Sequence, residues 1–453
     1  MKVILLAAGQ SKRVSPIEDK NFVTFCGKYL IEWQLANLIE LGMDDFVIVG
    51  NEGNLGKLKE FVGEFKEYFK DSGFSMEVVE QKKVADGMAG GVVACKEYFE
   101  DEPCLIVSCN DVVDLEAYES VLEVANGFVD EQGLALSGAL LGYKVEEYFP
   151  GGYMKFGHAN RVEGIVEKPG AGKQPSDYVN IVVHLHSNYD VLYKALCEVK
   201  SLKDDKYEVA LDNMIKAGGN FQMVPYEGFW QPLKFPWHIT ELDKHFFKRR
   251  AEEIDGDGNY KVVGEALVHM SAEISDKATI KGDVIIEAGV KVFENAVIQG
   301  PAYLEEGCVV GNNALFRESF AGQRCVIGFS TEVARSHLSD DVWTHSNYIG
   351  DSIIGSNVSF GAGAITANLR LDEGDISWQG EMSGQNKLGL ITGDHVRVGV
   401  QTCLMPGISI GKNVMVGSGL TISESIEANE FIYGKTSIHK KKNKTDVSGL
   451  LRD

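Results

Sequence analysis

The sequence predicts a chain in two parts: an α/β part with a mostly parallel, Rossmann-like mixed sheet, followed by a parallel β-helix of six-residue repeats. Two periodicities lead to this prediction. In the first half, short apolar strands alternate with amphipathic helices, which is typical of a sheet covered on both faces. In the second half, aliphatic residues recur at every sixth position, which is the period of neither a strand nor an α-helix. We place the parts at residues 1–238, a connecting helix and turn at 239–262, and the β-helix at 263–453.

Strand and helix patterns alternate along the first half. The predicted strands are short apolar runs at residues 2–6, 46–50, 76–80, 104–108 and 134–142. One predicted helix covers 30–42 and ends on the stop glycine Gly42, and another, amphipathic helix covers 58–70. Ligands of open α/β sheets bind outside the carboxyl ends of the strands. We therefore expect the site residues in the segments that follow the strands.

An unbroken repeat is the main feature of the second half. The repeated positions are Val268, Ile274, Ile280, Ile286, Val292, Ile298, Leu304, Val310 and Phe316, and later Val398, Leu404, Ile410, Val416 and Ile422. This spacing predicts one buried aliphatic residue on each short face of a β-helix. The stretch from about 320 to 397 is less regular, and we expect loops there that leave the coil.

Composition and charge limit the possible partners. The 453 residues carry a formal net charge of −22, which argues against nucleic acid as the main partner. An anionic substrate would therefore need a local cluster of Lys, Arg or backbone N–H groups. The eight cysteines contain no C-x-x-C pair, and the segment MKVILLAAGQ is apolar over too few residues for a signal peptide or membrane span. We expect a soluble cytoplasmic protein with no membrane partner.

A glycine loop follows the first strand directly. In LLAAGQSKR, residues 5–13, backbone N–H groups can wrap a phosphate, and Arg13 and Lys20 add positive charge. Other polar segments follow in a fixed order: QKKVADGMAGG (81–91), VSCND (107–111), GGYMKF (151–156), VEKP (166–169), DYVN (177–180) and FWQPLKFPW (229–237). This order and spacing resemble the sugar-1-phosphate nucleotidylyltransferases over the whole of the first half.

The resemblance implies transfer of a nucleotidyl group, UMP from UTP or another nucleoside triphosphate, to a sugar-1-phosphate such as N-acetylglucosamine-1-phosphate, with release of pyrophosphate. Both reactants are anions, so alignment and charge neutralisation are most of the task. Arg13 would stabilise the leaving phosphates, Lys20 the attacking phosphate, and Asp111 would hold Mg²⁺. The implied nucleotide-binding residues are Leu6, Ala7, Ala8, Gly9, Gln81, Gly87 and Met88. The implied sugar-binding residues are Gly152, Glu167, Lys168 and Asn180.

A second group of polar residues lies in THSNYIGDSIIGSNVSFGAGAITANLR, residues 344–370. This segment resembles the left-handed β-helix domain of the bifunctional N-acetylglucosamine-1-phosphate uridylyltransferases and glucosamine-1-phosphate acetyltransferases, most closely the archaeal-type proteins with both domains. A sugar amine must lose a proton as it attacks the thioester of acetyl-CoA, and the resemblance implies His345 as the general base. It also implies a homotrimer. The implied acceptor-binding residues are Arg317, Tyr348, Asn368 and Lys387, and the implied acetyl-CoA-binding residues are Ala362, Ser418 and Lys435.

Several positions depart from the family pattern, among them Ser11 and Asn110, which replace family glycines. Pro232 stands where the family has a second metal-binding aspartate, Ala334 where it has a phosphate-binding lysine, and Ser359 where it has an asparagine. Arg335 follows Ala334, and we expect it to point elsewhere if the segment is a strand. Three interpretations stay open: a bifunctional enzyme of nucleotide-sugar synthesis, a nucleotidylyltransferase whose β-helix is a trimerisation scaffold, and a non-catalytic nucleotide-sugar binding protein.

Overall fold

A computed structural model describes residues 1–68, 73–124, 126–130, 132–201, 205–435 and 439–444. The α-helices are, in chain order, α1 (Leu30–Glu40), α2 (Leu55–Tyr68), α3 (Gly87–Ala94), α4 (Leu115–Val124), α5 (Tyr189–Glu198), α6 (Lys206–Lys216) and α7 (His238–Ile254). The strands of the first half are β1 (Lys2–Leu6), β2 (Thr24–Phe25), β3 (Lys28–Tyr29), β4 (Asp45–Gly50), β5 (Ser75–Glu80), β6 (Cys104–Ser108), β7 (Asp111–Val113), β8 (Gly138–Lys144), β9 (Gly152–Phe156), β10 (Val162–Glu167), β11 (Tyr178–His186), β12 (Phe221–Tyr226) and β13 (Trp230–Pro232).

The first half is the predicted α/β fold, built on a mixed sheet. Its strand order is β10-β9-β11-β6-β1-β4-β5, and β8 and β12 extend it beside β11. Strands β5, β4, β1 and β6 are parallel, whereas β11 runs antiparallel to β6, β8 and β9. Leu6 pairs with Val49 and with Ser108, so the segments after β1, β4 and β6 meet at one edge of the sheet.

Most predicted elements are confirmed, and their ends differ by a few residues. Helix α1 ends at Glu40, and Gly42 has a φ of 77°, as a stop glycine requires. The strand predicted at 134–142 begins at Gly138 because Leu134 is 56% exposed and lies outside the sheet. A side chain at Gly138 would meet the Leu185 carbonyl of β11, so glycine permits this close pairing. Residues 69 and 70 of the second predicted helix lie outside the described residues.

The second half is the predicted left-handed parallel β-helix. Its strands are β14 (Tyr260–Val263), β15 (Ala266–His269), β16 (Glu273–Ile274), β17 (Thr279–Lys281), β18 (Val284–Ile286), β19 (Lys291–Val292), β20 (Val297–Gln299), β21 (Ala302–Leu304), β22 (Val309–Val310), β23 (Leu315–Arg317), β24 (Phe320–Ala321), β25 (Val326–Ile327), β26 (Glu332–Ala334), β27 (His337–Leu338), β28 (Tyr348–Gly350), β29 (Ile353–Ile354), β30 (Ser359–Phe360), β31 (Ile365–Thr366), β32 (Ser377–Trp378), β33 (Glu381–Met382), β34 (Ile391–Thr392), β35 (Arg397–Val398), β36 (Cys403–Leu404), β37 (Ser409–Ile410), β38 (Met415–Val416), β39 (Thr421–Ile422) and β40 (Phe431–Ile432).

The six-residue positions form the interior of the coil, as the repeat predicts. Ile286, Ile298 and Phe316 are fully buried in one apolar cluster that runs the length of the β-helix. The coil has three faces: one holds β15, β18 and their successors, the next β16 and its successors, and the last β17 through β39. The expected departure from the coil is a single long insertion, because Ile353 in β29 pairs directly with Ile391 in β34.

The two halves share a buried interface. Helix α7 packs against the β-helix, and the Asp243 carboxylate lies 3.0 Å from Nδ1 of His337 in β27, with both residues buried. The insertion reaches back to the first half, where its Trp378 is 2% exposed in an apolar cluster that also contains Trp33. Gln379 donates a hydrogen bond of 3.1 Å to the Ser15 carbonyl oxygen. In the described part of the chain, no helix is long and apolar enough to cross a membrane.

Candidate active sites

A cavity of about 620 Å³ lies at the edge of the sheet where β1 and β6 end. The loop after β1 forms one wall, and α3 forms another. The predicted site residues that line this cavity are Leu6, Ala8, Gly9, Arg13, Lys20, Gln81, Gly87, Met88, Glu167 and Lys168. The structure thus brings together most of the residues implied for the nucleotide, with two of those implied for the sugar. It does not place Ala7, Asp111, Gly152 or Asn180 on the wall of this cavity.

Three buried asparagines hold the loop after β1 in place. Asn21 and Asn54 each donate a hydrogen bond of 2.9 Å to the Ala7 carbonyl oxygen. Asn51 donates one of the same length to the Ala8 carbonyl oxygen. Ala7 is therefore a buried support of the loop. None of the three asparagines was predicted from the sequence, where their only signal is their place directly after β4 or beside Lys20.

Positive charge is concentrated at the loop: Arg13 ends it, and a methyl carbon at Gly9 would lie 3.6 Å from Lys20 Nζ. The Nζ atom of Lys20 donates a long hydrogen bond of 3.4 Å to the Leu233 carbonyl oxygen. Burial lowers the pKa of Lys20 to about 8, Asp111 acts in the opposite direction, and Arg13 lowers the pKa further. Such a lysine keeps most of its charge at neutral pH and is further stabilised by an anionic ligand. Within the described residues, neither Arg13 nor Lys20 has a carboxylate within ion-pair distance.

The segment after β5 closes the other side of the cavity. The Gln81 side chain is 5% exposed and donates hydrogen bonds to the carbonyl oxygens of Gly87, at 2.7 Å, and Lys83, at 3.2 Å. A methyl carbon at Gly90 would lie 2.7 Å from Gln81 Nε2, so this glycine leaves room for the amide. The arrangement fixes Gln81 against the first turn of α3, beside Met88, where the resemblance implies contact with the base.

The residues implied for the sugar form a second, adjoining group. A methyl carbon at Gly152 would lie 3.0 Å from Glu167 Oε2 and 3.7 Å from the Asn180 Cβ atom, so the three residues are neighbours. The Lys168 ammonium group is paired with Glu167 at 3.0 Å. Asn180 Oδ1 lies 2.9 Å from Nε2 of the buried His184. A small residue at position 152 therefore leaves space between a carboxylate and an amide, which are suitable partners for sugar hydroxyl groups.

The amide of Asn180 is oriented by a buried polar chain that sequence reasoning missed. His184 Nδ1 and His186 Nε2 each lie 3.0 Å from the Tyr207 hydroxyl oxygen. Burial lowers the pKa of both histidines to about 3, so both are neutral at physiological pH. A neutral His184 that donates to Asn180 Oδ1 leaves the amide NH₂ group available as a donor. The only sequence signal is the alternation of His184 and His186 along one face of β11.

The surroundings of Asp111 decide how a metal ion fits. Asp111 Oδ1 accepts a long hydrogen bond of 3.4 Å from Trp230 Nε1, and Asp111 pairs with Pro232 in the register of β7 and β13. Pro232, which faces Asp111 across the two strands, therefore offers no second carboxylate. Across the described ranges, no group of three or more His, Cys, Asp and Glu side chains is placed to hold a metal ion. Asp111 supplies one hard oxygen ligand, which fits Mg²⁺ that is bound mainly by substrate phosphates.

The residues implied for acetyl-CoA follow one corner of the β-helix. Ser346, next to His345, accepts a backbone hydrogen bond from Gly363, and Ala362 accepts one from Gln401, each of 3.0 Å. Gly399 is close against Ser418, since a methyl carbon there would lie 2.5 Å from the Ser418 backbone nitrogen. His345 and Ala362 are therefore stacked on successive turns of the coil, and Ser418 lies two turns beyond Ala362, after the turn that contains Val400. With turns about 4.8 Å apart, the three spacings from His345 to Ser418 span about 14 Å. Lys435 is exposed and follows Gly434, where a methyl carbon would lie 2.7 Å from Leu420, two residues after Ser418.

The residues implied for the acceptor gather on the neighbouring face. Asn368 Nδ2 donates to the Tyr348 hydroxyl oxygen at 3.2 Å and makes a short hydrogen bond to Asp351 Oδ2. The Asp351 carboxylate accepts hydrogen bonds from Nε and Nη2 of Arg335, at 2.6 and 2.7 Å. A methyl carbon at Gly350 would lie 2.6 Å from the Tyr348 hydroxyl oxygen, so the tyrosine ring folds over this glycine. Asp351, Arg335 and Gly350 are parts of this group that sequence reasoning did not include.

Arg317 and Lys387 lie at two edges of the same group. The Arg317 guanidinium group contacts Glu332 Oε1 at 2.7 and 3.0 Å, and Glu332 pairs with Tyr348 in the sheet register. Lys387 forms an antiparallel bridge with Leu369, next to Asn368. Tyr348, Asn368 and Lys387 thus lie together, whereas Arg317 is one strand farther away and is already paired with the Glu332 carboxylate.

The strand on which the expectation for Arg335 depends does not reach this residue. Strand β26 ends at Ala334, and Arg335 adopts a φ of 48° at the corner of the coil, so strand alternation no longer sets its direction. Its side chain turns to Asp351 and joins the acceptor group through Asn368. Ala334 itself is fully buried between Arg317 and Gly350 in the sheet register. Ser359 lies on another face, paired with Arg397.

The chain matches known proteins over nearly its whole length. Residues 2–232 match the model of the nucleotidyl transferase family. The "Bifunctional protein GlmU" of Methanococcus maripaludis strain C7 is 32% identical over 98% of this chain and 100% of the relative. The "Bifunctional sugar-1-phosphate nucleotidylyltransferase/acetyltransferase" of Sulfurisphaera tokodaii is 28% identical over 95% and 99%. The solved inositol-1-phosphate CTP transferase of T. maritima covers 55% of this chain and 96% of that chain, with 22% identity and a TM-score of 0.45. The chain therefore belongs to the nucleotidyl transferase family and, by its full-length relatives, to the bifunctional proteins named GlmU.

Proposed function

We propose that the chain is a bifunctional enzyme of nucleotide-sugar synthesis. Residues 1–238 transfer UMP from UTP to N-acetylglucosamine-1-phosphate and release pyrophosphate. Residues 263–453 acetylate an amino-sugar phosphate with acetyl-CoA, and residues 239–262 connect the two parts. The names of the full-length relatives support both activities. The observation that carries the proposal is the cavity at the carboxyl ends of the parallel strands, which is lined by the glycine loop with Arg13 and by Lys20.

In the first reaction, a phosphate oxygen of the sugar-1-phosphate attacks the α-phosphorus of UTP, and pyrophosphate leaves. Arg13 would stabilise the charge that develops on the leaving phosphates, and Lys20 would hold the attacking phosphate. The Asn180 amide, oriented by His184, would donate to a sugar hydroxyl group, and Glu167 would accept from one. Mg²⁺, held by Asp111 and phosphate oxygens, would neutralise phosphate charge when bound.

In the second reaction, the sugar amine attacks the thioester carbon of acetyl-CoA. His345 takes the proton that the amine loses, and coenzyme A leaves as the thiolate. The column of Ala362 and Ser418 would hold the extended cofactor along the corner of the coil, with Lys435 near its phosphates. The acceptor group around Tyr348 would orient the sugar phosphate.

We further propose a homotrimer in the cytoplasm. The corner column is open on its outer side, where Trp343 is 59% exposed and Phe329 is 51% exposed, so a neighbouring coil could complete the site. All eight cysteines are free, which is typical of a reducing compartment. Light scattering of the purified chain would give the mass of the assembly, and a monomer would contradict the proposal.

Pyrophosphate release tests the first activity. With UTP, N-acetylglucosamine-1-phosphate and Mg²⁺, we expect release by the intact chain and a loss of at least ~100-fold in Arg13→Ala, because a group that stabilises developing charge is removed. Lys173→Ala, which removes an exposed lysine outside the cavity, is the control. If no common nucleoside triphosphate and no sugar-1-phosphate of a broad panel give pyrophosphate, the first half is not a nucleotidylyltransferase.

Release of free thiol tests the second activity. With acetyl-CoA and glucosamine-1-phosphate, His345→Ala should lower thiol release by at least ~100-fold, the usual scale for a lost general base. Pyrophosphate release by the same variant should stay unchanged. The exposed His395→Ala, on the same β-helix, is the control. Thiol release that persists in His345→Ala would exclude His345 as the general base, and thiol release that is absent with every amino sugar would leave the β-helix as a scaffold only.

A further inference from the structure

Lys234 is a cation of the first cavity to which the family resemblance assigns no role. Its side chain lines the cavity together with Arg13 and Lys20. It follows Pro232 and Leu233, and the Leu233 carbonyl oxygen accepts the hydrogen bond from Lys20 Nζ. Lys234 therefore sits two residues from the position where the second metal-binding carboxylate is missing.

We propose that Lys234 is a phosphate-binding residue, and that its fixed ammonium charge holds a triphosphate where a metal ion bound by two protein carboxylates would otherwise act. The biological role of this binding rests on the proposed nucleotidyl transfer, whereas the binding of a triphosphate can be measured without that reaction. The ligand class is a linear polyphosphate or the triphosphate of a nucleotide. The proposal involves binding only, and no bond is formed or broken.

The backbone and stem of Lys234 are held in a defined position. Its backbone nitrogen lies 3.0 Å from the Pro232 carbonyl oxygen and 3.3 Å from His238 Nδ1. Its Nζ atom lies 4.1 Å from the centre of the Phe149 ring. Phe149 in turn packs edge-on against Trp230 at 4.9 Å. The ammonium group is thus preorganised at the cavity, and little side-chain entropy remains to be lost when a ligand binds.

The charge of Lys234 is compensated only in part by the protein. Burial, together with Arg13 and Lys168, lowers the pKa of Lys234, while Asp111 and Glu167 act in the opposite direction. In the described part of the chain, the Lys234 ammonium group has no carboxylate within ion-pair distance, and the same holds for Arg13 and Lys20. Lys20 and Lys234 are partly buried cations without ion-pair partners, which is costly unless an anion binds, and the exposed Arg13 adds positive charge beside them. In a chain with a net charge of −22, such a cluster points to a polyanionic ligand.

Beside these cations, the protein offers few ligands for a metal ion. Pro232 pairs with Asp111 in the sheet register and has neither a carboxylate nor a backbone N–H group. A lysine ammonium group can satisfy phosphate oxygens without any metal ion, as a point charge with three donors. Lys234 therefore supplies, close to Pro232, positive charge that does not depend on the concentration of Mg²⁺.

Calorimetric titration of the full chain with inorganic tripolyphosphate tests the inference, in EDTA and again with Mg²⁺. The probe carries no base, so the result does not depend on the choice of nucleotide. We expect the intact chain to bind tripolyphosphate in EDTA. Lys234→Ala and Lys234→Met should each weaken that binding by at least ~10-fold, the scale of one lost charge-assisted hydrogen bond. Lys234→Met keeps the stem over Phe149, so it separates loss of charge from loss of packing, and Lys234→Arg should retain binding.

Lys155→Ala is the matched control, because Lys155 is 61% exposed, pairs with Glu163 and lies outside the cavity. It should bind tripolyphosphate like the intact chain. Binding that is unchanged in both Lys234 variants, or that appears only with Mg²⁺, overturns the inference. Pyrophosphate release from UTP tells the two proposals apart. If release occurs and the Lys234 variants bind normally, only the inference fails. If Lys234-dependent binding occurs without release, only the proposed nucleotidyl transfer fails.

Discussion

The stability of the chain should fall between mildly acidic and mildly alkaline pH because of one buried carboxyl group, Glu305. This side chain is 5% exposed at the interface of the two halves, and its Oε1 atom would lie 3.5 Å from a methyl carbon at Gly27. Burial raises the pKa of Glu305 to about 7 from an ordinary value of 4.5. Asp340 and Glu287 raise it further, whereas a hydrogen bond from Gln323 and the charge of Arg250 lower it.

The direction of the effect follows from proton binding in the two states. Because the folded chain holds the Glu305 proton more tightly than the unfolded chain, this group contributes stability that is fully present below about pH 4.5. The contribution is lost as the pH rises through about 7, where the folded carboxyl group ionises. The difference between the two pKa values corresponds to about 3 kcal/mol of unfolding free energy.

Glu305→Gln removes the titration and keeps the size of the side chain. We expect the variant and the intact chain to differ little at pH 5, and the variant to be more stable by up to about 3 kcal/mol at pH 8. Urea denaturation followed by tryptophan fluorescence measures this difference, since Trp33 is buried in the same interface. The exposed Glu306→Gln removes the same charge and should show no such dependence on pH. An equal difference at pH 5 and pH 8, or a less stable variant at pH 8, would refute the reasoning.

Two further predictions concern the supports of the candidate sites. Gly350→Ala should raise the KM for the amino-sugar phosphate about tenfold, because its methyl carbon would displace the Tyr348 hydroxyl group and break the hydrogen bond from Asn368. Steady-state thiol release measures the KM. An unchanged KM would exclude a role for the hydrogen bond between Asn368 and Tyr348 in acceptor binding. Trp378→Ala should destabilise the chain by about 3–5 kcal/mol, because it empties a buried aromatic site. It should also slow pyrophosphate release. Met382 lies on the same hairpin and is 63% exposed, so Met382→Ala should change neither the unfolding free energy nor the rate of pyrophosphate release.

The parts of the fold that the sequence predicts are those determined by local periodicity. The six-residue repeat is visible in a short stretch of sequence, so Ile298 and Phe316 could be placed inside the coil without knowledge of any long-range contact. Glycine positions were predictable for the same reason where a turn demands a positive φ, as at Gly42. The ends of strands were less certain, because Leu134 is apolar yet exposed, and hydrophobicity alone extends the strand to it.

The candidate sites were predictable only where an ordered motif carries them. The resemblance led to Gln81 and Asn180, but not to the partners that fix their amide groups. His184 and Tyr207 meet across 23 residues, and neither has a local pattern that distinguishes it from an ordinary buried polar residue. The expectation for Arg335 depended on a strand that continues through it, and β26 ends one residue earlier, where the backbone turns.

The position of the Arg13 loop depends on both halves of the chain. From inside, Asn21 and Asn54 hold the Ala7 carbonyl oxygen. From outside, Gln379 of the β-helix insertion holds the Ser15 carbonyl oxygen across 364 residues of sequence.

A second outer contact joins Lys412 to Glu18 at 3.0 Å, but this pair is exposed and contributes little by itself. The buried Trp378 is therefore the stronger anchor of the insertion. The same insertion begins at Asn368 and ends near Lys387, which belong to the acceptor group of the other site. One segment thus supports the cation of the first site and carries two residues of the second. The two sites occupy different surfaces, yet a change that loosens this insertion should weaken both.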